Sequence, residues 1–138
     1  MKKIKDLIPH RDPFIFTDEI LSYSEEEIVA VKTFDERDHW LKGNFGDAIF
    51  DFIPSTILIE SIAQSGGAGI RLLKNSDGLF GLASIENAKF LENVTFHQKL
   101  KYVITNLKIS DKLIKQKGVA YIEDKLIFEV TWLCVRIN

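Results

Sequence analysis

Residues 54–73 read PSTILIESIAQSGGAGIRLL. Pro54 is tolerated at a helix start and nowhere deeper, and Ser55 or Thr56 supplies a hydroxyl to cap the first turn. The pattern predicts a helix from Thr56 to about Leu73. Its apolar residues, among them Ile57, Leu58, Ile59, Ile62, Ala63, Ala68 and Ile70, populate nearly every direction around the axis. A surface helix carries one apolar stripe, whereas a helix that is apolar all round is buried. Gly66, Gly67 and Gly69 each weaken helix propensity by roughly 1 kcal/mol against Ala, and they permit very close packing on a sheet or another helix. Between Thr56 and Ile70 the only ionisable side chain is Glu60. The fold must therefore envelop one helix and account for one carboxyl.

Working outward, the segment DLIPHRDPFIF (residues 6–16) carries two prolines that no regular helix continues through. A short strand is expected over Phe14 to Leu21 and a second over residues 26–34, where Val and Ile support it. Residues 35–52, DERDHWLKGNFGDAIFDF, read as a long irregular loop, and such loops are often functional. After KNSDG (residues 74–78) the pattern becomes strands: Leu79 to Ile85, Lys99 to Ser110, then Lys115 to Glu123 and Lys125 to Ile137 as a hairpin. Strands, one buried helix and long antiparallel strands imply an α+β fold, with a curved antiparallel sheet wrapped around one long central helix. Such a sheet has exposed edges and an incomplete cover, so a homodimer or a higher multiple is expected.

The 138 residues suit a single domain spanning 1–138. Net charge is −2, from 18 basic and 20 acidic side chains, with no long basic block, so nucleic acid is not an expected partner. Cys134 is the one cysteine, which rules out an intrachain disulfide and a four-cysteine metal site. His10, His39 and His97 have no recognised zinc-ligand spacing, and no metal is expected. The amino end lacks the apolar core of a signal peptide, and every apolar run is shorter than the roughly 20 residues of a membrane helix. A cytoplasmic location and no membrane contact are the expectations.

Four motifs then coincide in order. DLIPHRDPFIFTDEIL (6–21) resembles the opening of the β-hydroxyacyl-(acyl carrier protein) dehydratases, hotdog-fold enzymes of fatty acid synthesis. IPSTILIESIAQSGG (53–67) resembles their central helix, SIENAKFLENV (84–94) one of their strands, and KGVAYIEDKLIFEV (117–130) their final hairpin. The resemblance implies a hotdog fold and edge-to-edge dimers. It places the active site at the dimer interface, where a loop His of one subunit meets the helix Glu of the other. It also implies an acyl thioester delivered on the phosphopantetheine of an acyl carrier protein, with no other cofactor. The family's Glu falls on Glu60 and its following Gln on Gln64; Ser55 stands where a Gly is usual. The family's Gly-His-Phe-Pro-Gly loop falls on Gly43, Asn44, Phe45, Gly46 and Asp47, with two extra residues before the helix. The catalytic His position is thus Asn44.

Dehydration of a 3-hydroxyacyl thioester needs a base for the proton beside the carbonyl and an acid for the departing hydroxyl. An amide cannot serve as that base, though Asn44 can still orient a carbonyl. His39, five residues earlier, is a candidate replacement, while His10 reads as a structural hydrogen-bonding residue. Glu60, on a buried helix, is expected to have a raised pKa and to act as a protonated acid. The other reading of Glu60 is a buried carboxyl satisfied by Gln64 or by backbone. Trp40, Phe45, Phe50 and Phe52 suit an acyl or aryl pocket, and equally an ordinary core.

These residues leave several functions open. One is a dehydratase-like lyase with rearranged groups and weak activity as a homodimer. A second is a thioester-binding subunit that pairs as a heterodimer with an intact dehydratase homologue. A third is a thioesterase using Glu60, and a fourth is a purely structural protein.

Overall fold

The computed structural model describes residues 3–10, 14–38, 51–74 and 78–137. After a 3₁₀ turn at Ile4–Asp6 come β1 (Glu19–Tyr23), β2 (Glu27–Thr33), α1 (Ser55–Lys74), β3 (Phe80–Phe90), β4 (Lys99–Ile109), β5 (Leu113–Ile122) and β6 (Lys125–Arg136). The strands form one antiparallel sheet in the order β1-β2-β4-β5-β6-β3. It curves around α1 in the expected hotdog arrangement.

Period-two alternation sends one set of side chains toward the helix. Ala30, Tyr102, Ala120 and Phe128 stand in one row across β2, β4, β5 and β6, and Ile28, Ile104, Gly118 and Val130 in another. All of these residues are buried. Mixing small and large residues along each row leaves the concavity a helix needs.

The approach of α1 to the sheet is set by glycine. A Cβ on Gly69 would come within 2.6 Å of Ile28, and one on Gly66 would strike Gln116 and Trp132. On the sheet side, a Cβ on Gly118 would strike Ile62. Away from the sheet, Leu7 and Ile8 pack with Ala68, so the opening segment covers a further side of the helix. This enclosure accounts for a helix that is apolar nearly all round.

Three local expectations are corrected. The strand placed at Phe14 to Leu21 begins only at Glu19. The backbone of Phe14 and Phe16 is instead hydrogen-bonded to helix side chains, Gln64 and Ser61, which excludes it from a ladder. Strand β3 runs to Phe90 rather than stopping near Ile85, because β6 keeps pairing with it as far as Phe90↔Phe128. From Leu82 onward β3 is exposed along its whole length, so no burial pattern marks it in the sequence. The helix starts at Ser55, which leaves Pro54 in the capping place; its carbonyl accepts from the N–H groups of Ile57 and Leu58 at 3.0 and 3.1 Å. No helix of the described residues is long and apolar enough to cross a membrane.

The glycines give a paired prediction. A Cβ on Gly67 would meet nothing within 4 Å, so Gly67→Ala should gain up to about 1 kcal/mol from helix propensity. Gly69→Ala should lose about 1 to 2 kcal/mol, because overpacking against Ile28 exceeds the same propensity gain. Urea denaturation of the two variants checks the opposite signs.

Candidate functional site

Glu60 lies in the second turn of α1. Gln64, one turn later on the same face, is 3% exposed and fully engaged. Its Oε1 accepts the N–H of Phe16 at 2.9 Å, and its Nε2 donates to Phe14 O at 2.9 Å and to Glu60 Oε1 at 3.1 Å. The amide orientation follows from these partners, since a flipped amide would set oxygen against two acceptors. A second donor reaches the same carboxylate oxygen: His10 Nε2 lies 3.1 Å from Glu60 Oε1, with both side chains 34% exposed. Among the described residues, Glu60 Oε2 receives no hydrogen bond.

The charge state expected of Glu60 is therefore corrected. Its pKa is lowered, not raised. The hydrogen bond from His10 is the largest cause, burial opposes it, and the Gln64 amide and the charge of His10 add to the lowering. Glu60 is a carboxylate at neutral pH, suited to accept a proton rather than to donate one. His10, read from the sequence as a structural hydrogen-bonding residue, does hydrogen-bond, and its partner is Glu60. The two residues stand 50 positions apart, and no local spacing connects them.

Glu60 and His10 sit at one end of a groove of about 1030 Å³. Ala63, Gly67 and Ile70 of α1 form one side, and Ile114, Cys134 and Leu82 face them from the sheet. Four cationic side chains, Lys5, Arg71, Lys74 and Arg136, line it along with Asp6 and Asp111. Arg71 lies eleven residues beyond Glu60, about 16 Å along the helix axis. Burial, and secondarily the Glu60 charge, pushes the Cys134 thiol up to about 11, so it stays protonated and unreactive.

The remaining candidates fall elsewhere. Ser55 and Phe52 are exposed and do not line the groove. Asn44, His39, Trp40, Phe45 and Phe50 lie outside the described residues. His97 is paired with Glu36 at 2.7 Å, and Asp35 with Arg37 at 2.6 Å. Asp35, Glu36 and His97 come within 4.8 Å of one another. Arg37 and the imidazole already balance those two carboxylates.

Two measurements test this geometry. Gln64→Ala strands the N–H of Phe16 and the carbonyl of Phe14, and should cost about 2 to 4 kcal/mol in chemical denaturation. Because the folded-state pKa of Glu60 is depressed, its contribution is present above the ordinary carboxyl value and disappears as pH falls through the lowered one. The stability gap between the wild-type chain and Glu60→Gln should accordingly shrink as the solution is acidified. A gap that stays constant with pH would contradict the pairing.

Comparison with known proteins agrees with this architecture. Residues 2–78 match the ApeP-like family, described as ApeP dehydratase. The 3-hydroxyacyl-[acyl-carrier-protein] dehydratase FabZ of Thermotoga petrophila is 32% identical over 126 residues, covering 90% of this chain and 88% of that protein. FabZ of Wolinella succinogenes is 33% identical over 137 residues, covering 94% and 89%. Among solved structures, the dehydratase heterocomplex ApeI:P from Xenorhabdus doucetiae superimposes with a TM-score of 0.82 at 15% identity, over 100% of this chain and 93% of that one. Thioesterase superfamily member 2 from Mus musculus gives 0.64 at 9% identity, over 87% and 81%, a likeness of fold alone. With the helix-in-sheet architecture and the glutamate on that helix, these matches establish that the chain belongs to the ApeP-like family of hotdog-fold dehydratases.

Proposed function

We propose that this protein binds acyl thioesters carried on the phosphopantetheine arm of an acyl carrier protein, and that its homodimer dehydrates 3-hydroxyacyl thioesters slowly or not at all. The observation that carries this reading is an ionised Glu60 at the end of a long groove, with one oxygen held and the other without a hydrogen bond among the described residues. The groove suits a slender ligand: a thioester beside Glu60 and a phosphodiester near Arg71, Lys74 and Arg136. Slow turnover follows from Asn44, which stands at the family's His position and cannot abstract a proton. Losing a general base costs typically 10² to 10⁴-fold.

A heterodimer with an intact dehydratase homologue would supply the missing base. Two observations support a partner chain at this position. The outer edge of β3, eleven residues long, has no strand partner among the described residues. Its structural neighbour ApeI:P is itself a dehydratase heterocomplex. Leu82, Ile85 and Phe90 are exposed along β3, an apolar edge that a second hotdog chain would cover. The thioesterase reading keeps one specific support: a carboxylate with a free oxygen can activate water without any His.

The assay separates these readings. Purified protein is incubated with 3-hydroxyacyl carrier protein, and enoyl and free-acid products are followed by mass spectrometry. The expected outcome is saturable binding, enoyl formation well below about 1 per second, and a gain on adding a homologue that retains the loop His. Turnover in the ordinary enzymatic range by the homodimer alone refutes the proposal. Free acid that disappears in Glu60→Ala establishes the thioesterase instead. Light scattering should show a dimer or a multiple of one. Lys74→Glu should weaken carrier-protein binding and flatten its salt dependence, because one attractive charge at the groove has been reversed.

A further inference from the structure

We infer that His10 is a positioning residue for Glu60: together with Gln64 it fixes Oε1 and leaves Oε2 as the atom that accepts the substrate's proton. This rests on the reading above, that the thioester lies beside Glu60. The group that sets the charge and orientation of the helix glutamate then comes from the same chain, from the segment ahead of β1.

The geometry is specific. Two donors from different parts of the chain converge on one oxygen, each at 3.1 Å. Turning the carboxylate would break both bonds, and neither donor is loosely held. Gln64 is locked by the backbone of Phe14 and Phe16. Leu7 and Ile8, just before His10, are buried beside Ala68 of α1. Both members are a third exposed and line the groove, so a ligand lying there can reach the pair.

The electrostatics agree. The titratable groups facing Glu60, among the described residues, are His10 from the opening segment and Cys134 from β6. The thiol is neutral near pH 7, so the imidazole and the Gln64 amide decide the charge of the carboxylate. Both favour the ionised form, and they outweigh burial.

During dehydration one proton passes to Glu60 and returns to the leaving oxygen. The C–H bond beside the thioester carbonyl breaks, its proton forms an O–H bond at Oε2, and its electron pair delocalises into the carbonyl. That pair then forms the carbon–carbon double bond as the C–O bond to the 3-hydroxyl breaks. The departing oxygen recovers the proton from Oε2 and leaves as water, and Glu60 is a carboxylate again. A carboxylate of depressed pKa is a weak base for this work, which is consistent with slow turnover by the homodimer.

The test uses a readout that a purely structural role would not move. With carboxyl-labelled glutamate, carbon NMR follows the titration of Glu60 in the full-length wild-type chain, His10→Ala and His10→Gln. The titration should move to higher pH in His10→Ala, and less far in His10→Gln, which keeps a donor but loses the charge. The acid limb of the pH profile for 3-hydroxyacyl carrier-protein turnover, or for binding where turnover is too slow, should move with it. His10→Ala should then cost several-fold more at about pH 5 than at about pH 8. If His10→Ala does not fold, His10→Gln carries the same comparison. An unshifted Glu60 titration, or an acid limb that stays in place while the titration moves, overturns the inference. A shifted titration in a protein that neither binds nor turns over any thioester refutes the function proposed above and the acceptor role of Oε2, while the charge-setting contact with His10 stands.

Discussion

The hydrogen bonds of Gln64 are the constraint on which the site depends. This buried amide ties α1 to a stretch of chain that would otherwise read as a strand, and it holds Glu60 with the same nitrogen. A backbone N–H or carbonyl buried without a partner costs about 1 to 3 kcal/mol. The amide satisfies one of each. The opening segment is thereby placed against the helix, and His10 is carried to the carboxyl.

The helix can accept this arrangement because small and hydroxylated residues fill its inner faces. Ser61 donates to Phe16 O and shares a 2.7 Å hydrogen bond with the Tyr102 hydroxyl; Ser65 donates to Thr17 Oγ1 at 2.7 Å. Burial holds the Tyr102 phenol far above its ordinary pKa, so it stays a neutral partner. On another face, Gln116 donates to Gly66 O and to Asn106 while accepting from Trp132 Nε1. Polar groups thus line a core that composition alone would call apolar. Each is satisfied, as a low-dielectric interior demands.

Much of the fold is legible in the sequence because its signals are periodic. The all-round apolar helix demanded an envelope, and the alternation in β4, β5 and β6 supplied one. Glu60 and Gln64 stood out because they are polar where everything near them is not. What stayed hidden depends on contacts between distant residues. The last residues of β3 carry no burial pattern, since its register is dictated by β6. The lowered pKa of Glu60 comes from His10, and burial alone argued for the opposite sign. A helix position predicts desolvation; it does not predict which donor the chain will bring back from 50 residues away. Asn44 and its neighbours lie outside the described residues, so the departure from the family motif there is read from the sequence alone.

The groove and the unpaired edge share one strand. Phe80, Gly81 and Leu82 line the groove, and the same strand continues to Phe90 with an outer edge that pairs with no strand among the described residues. A chain adding its own edge strand to β3 would extend the sheet and come to lie beside the groove. Association and catalysis are then parts of one geometric problem: His10 and Gln64 settle how the carboxylate is held, and the surface along β3 settles what meets it. Because the first half is built within a single chain, the charge of Glu60 can be set before any partner arrives. Whatever pairs along β3 would then meet a carboxylate already held by His10 and Gln64. On the function proposed above, such a chain keeps a prepared carboxylate even with an amide, Asn44, at the family's loop position.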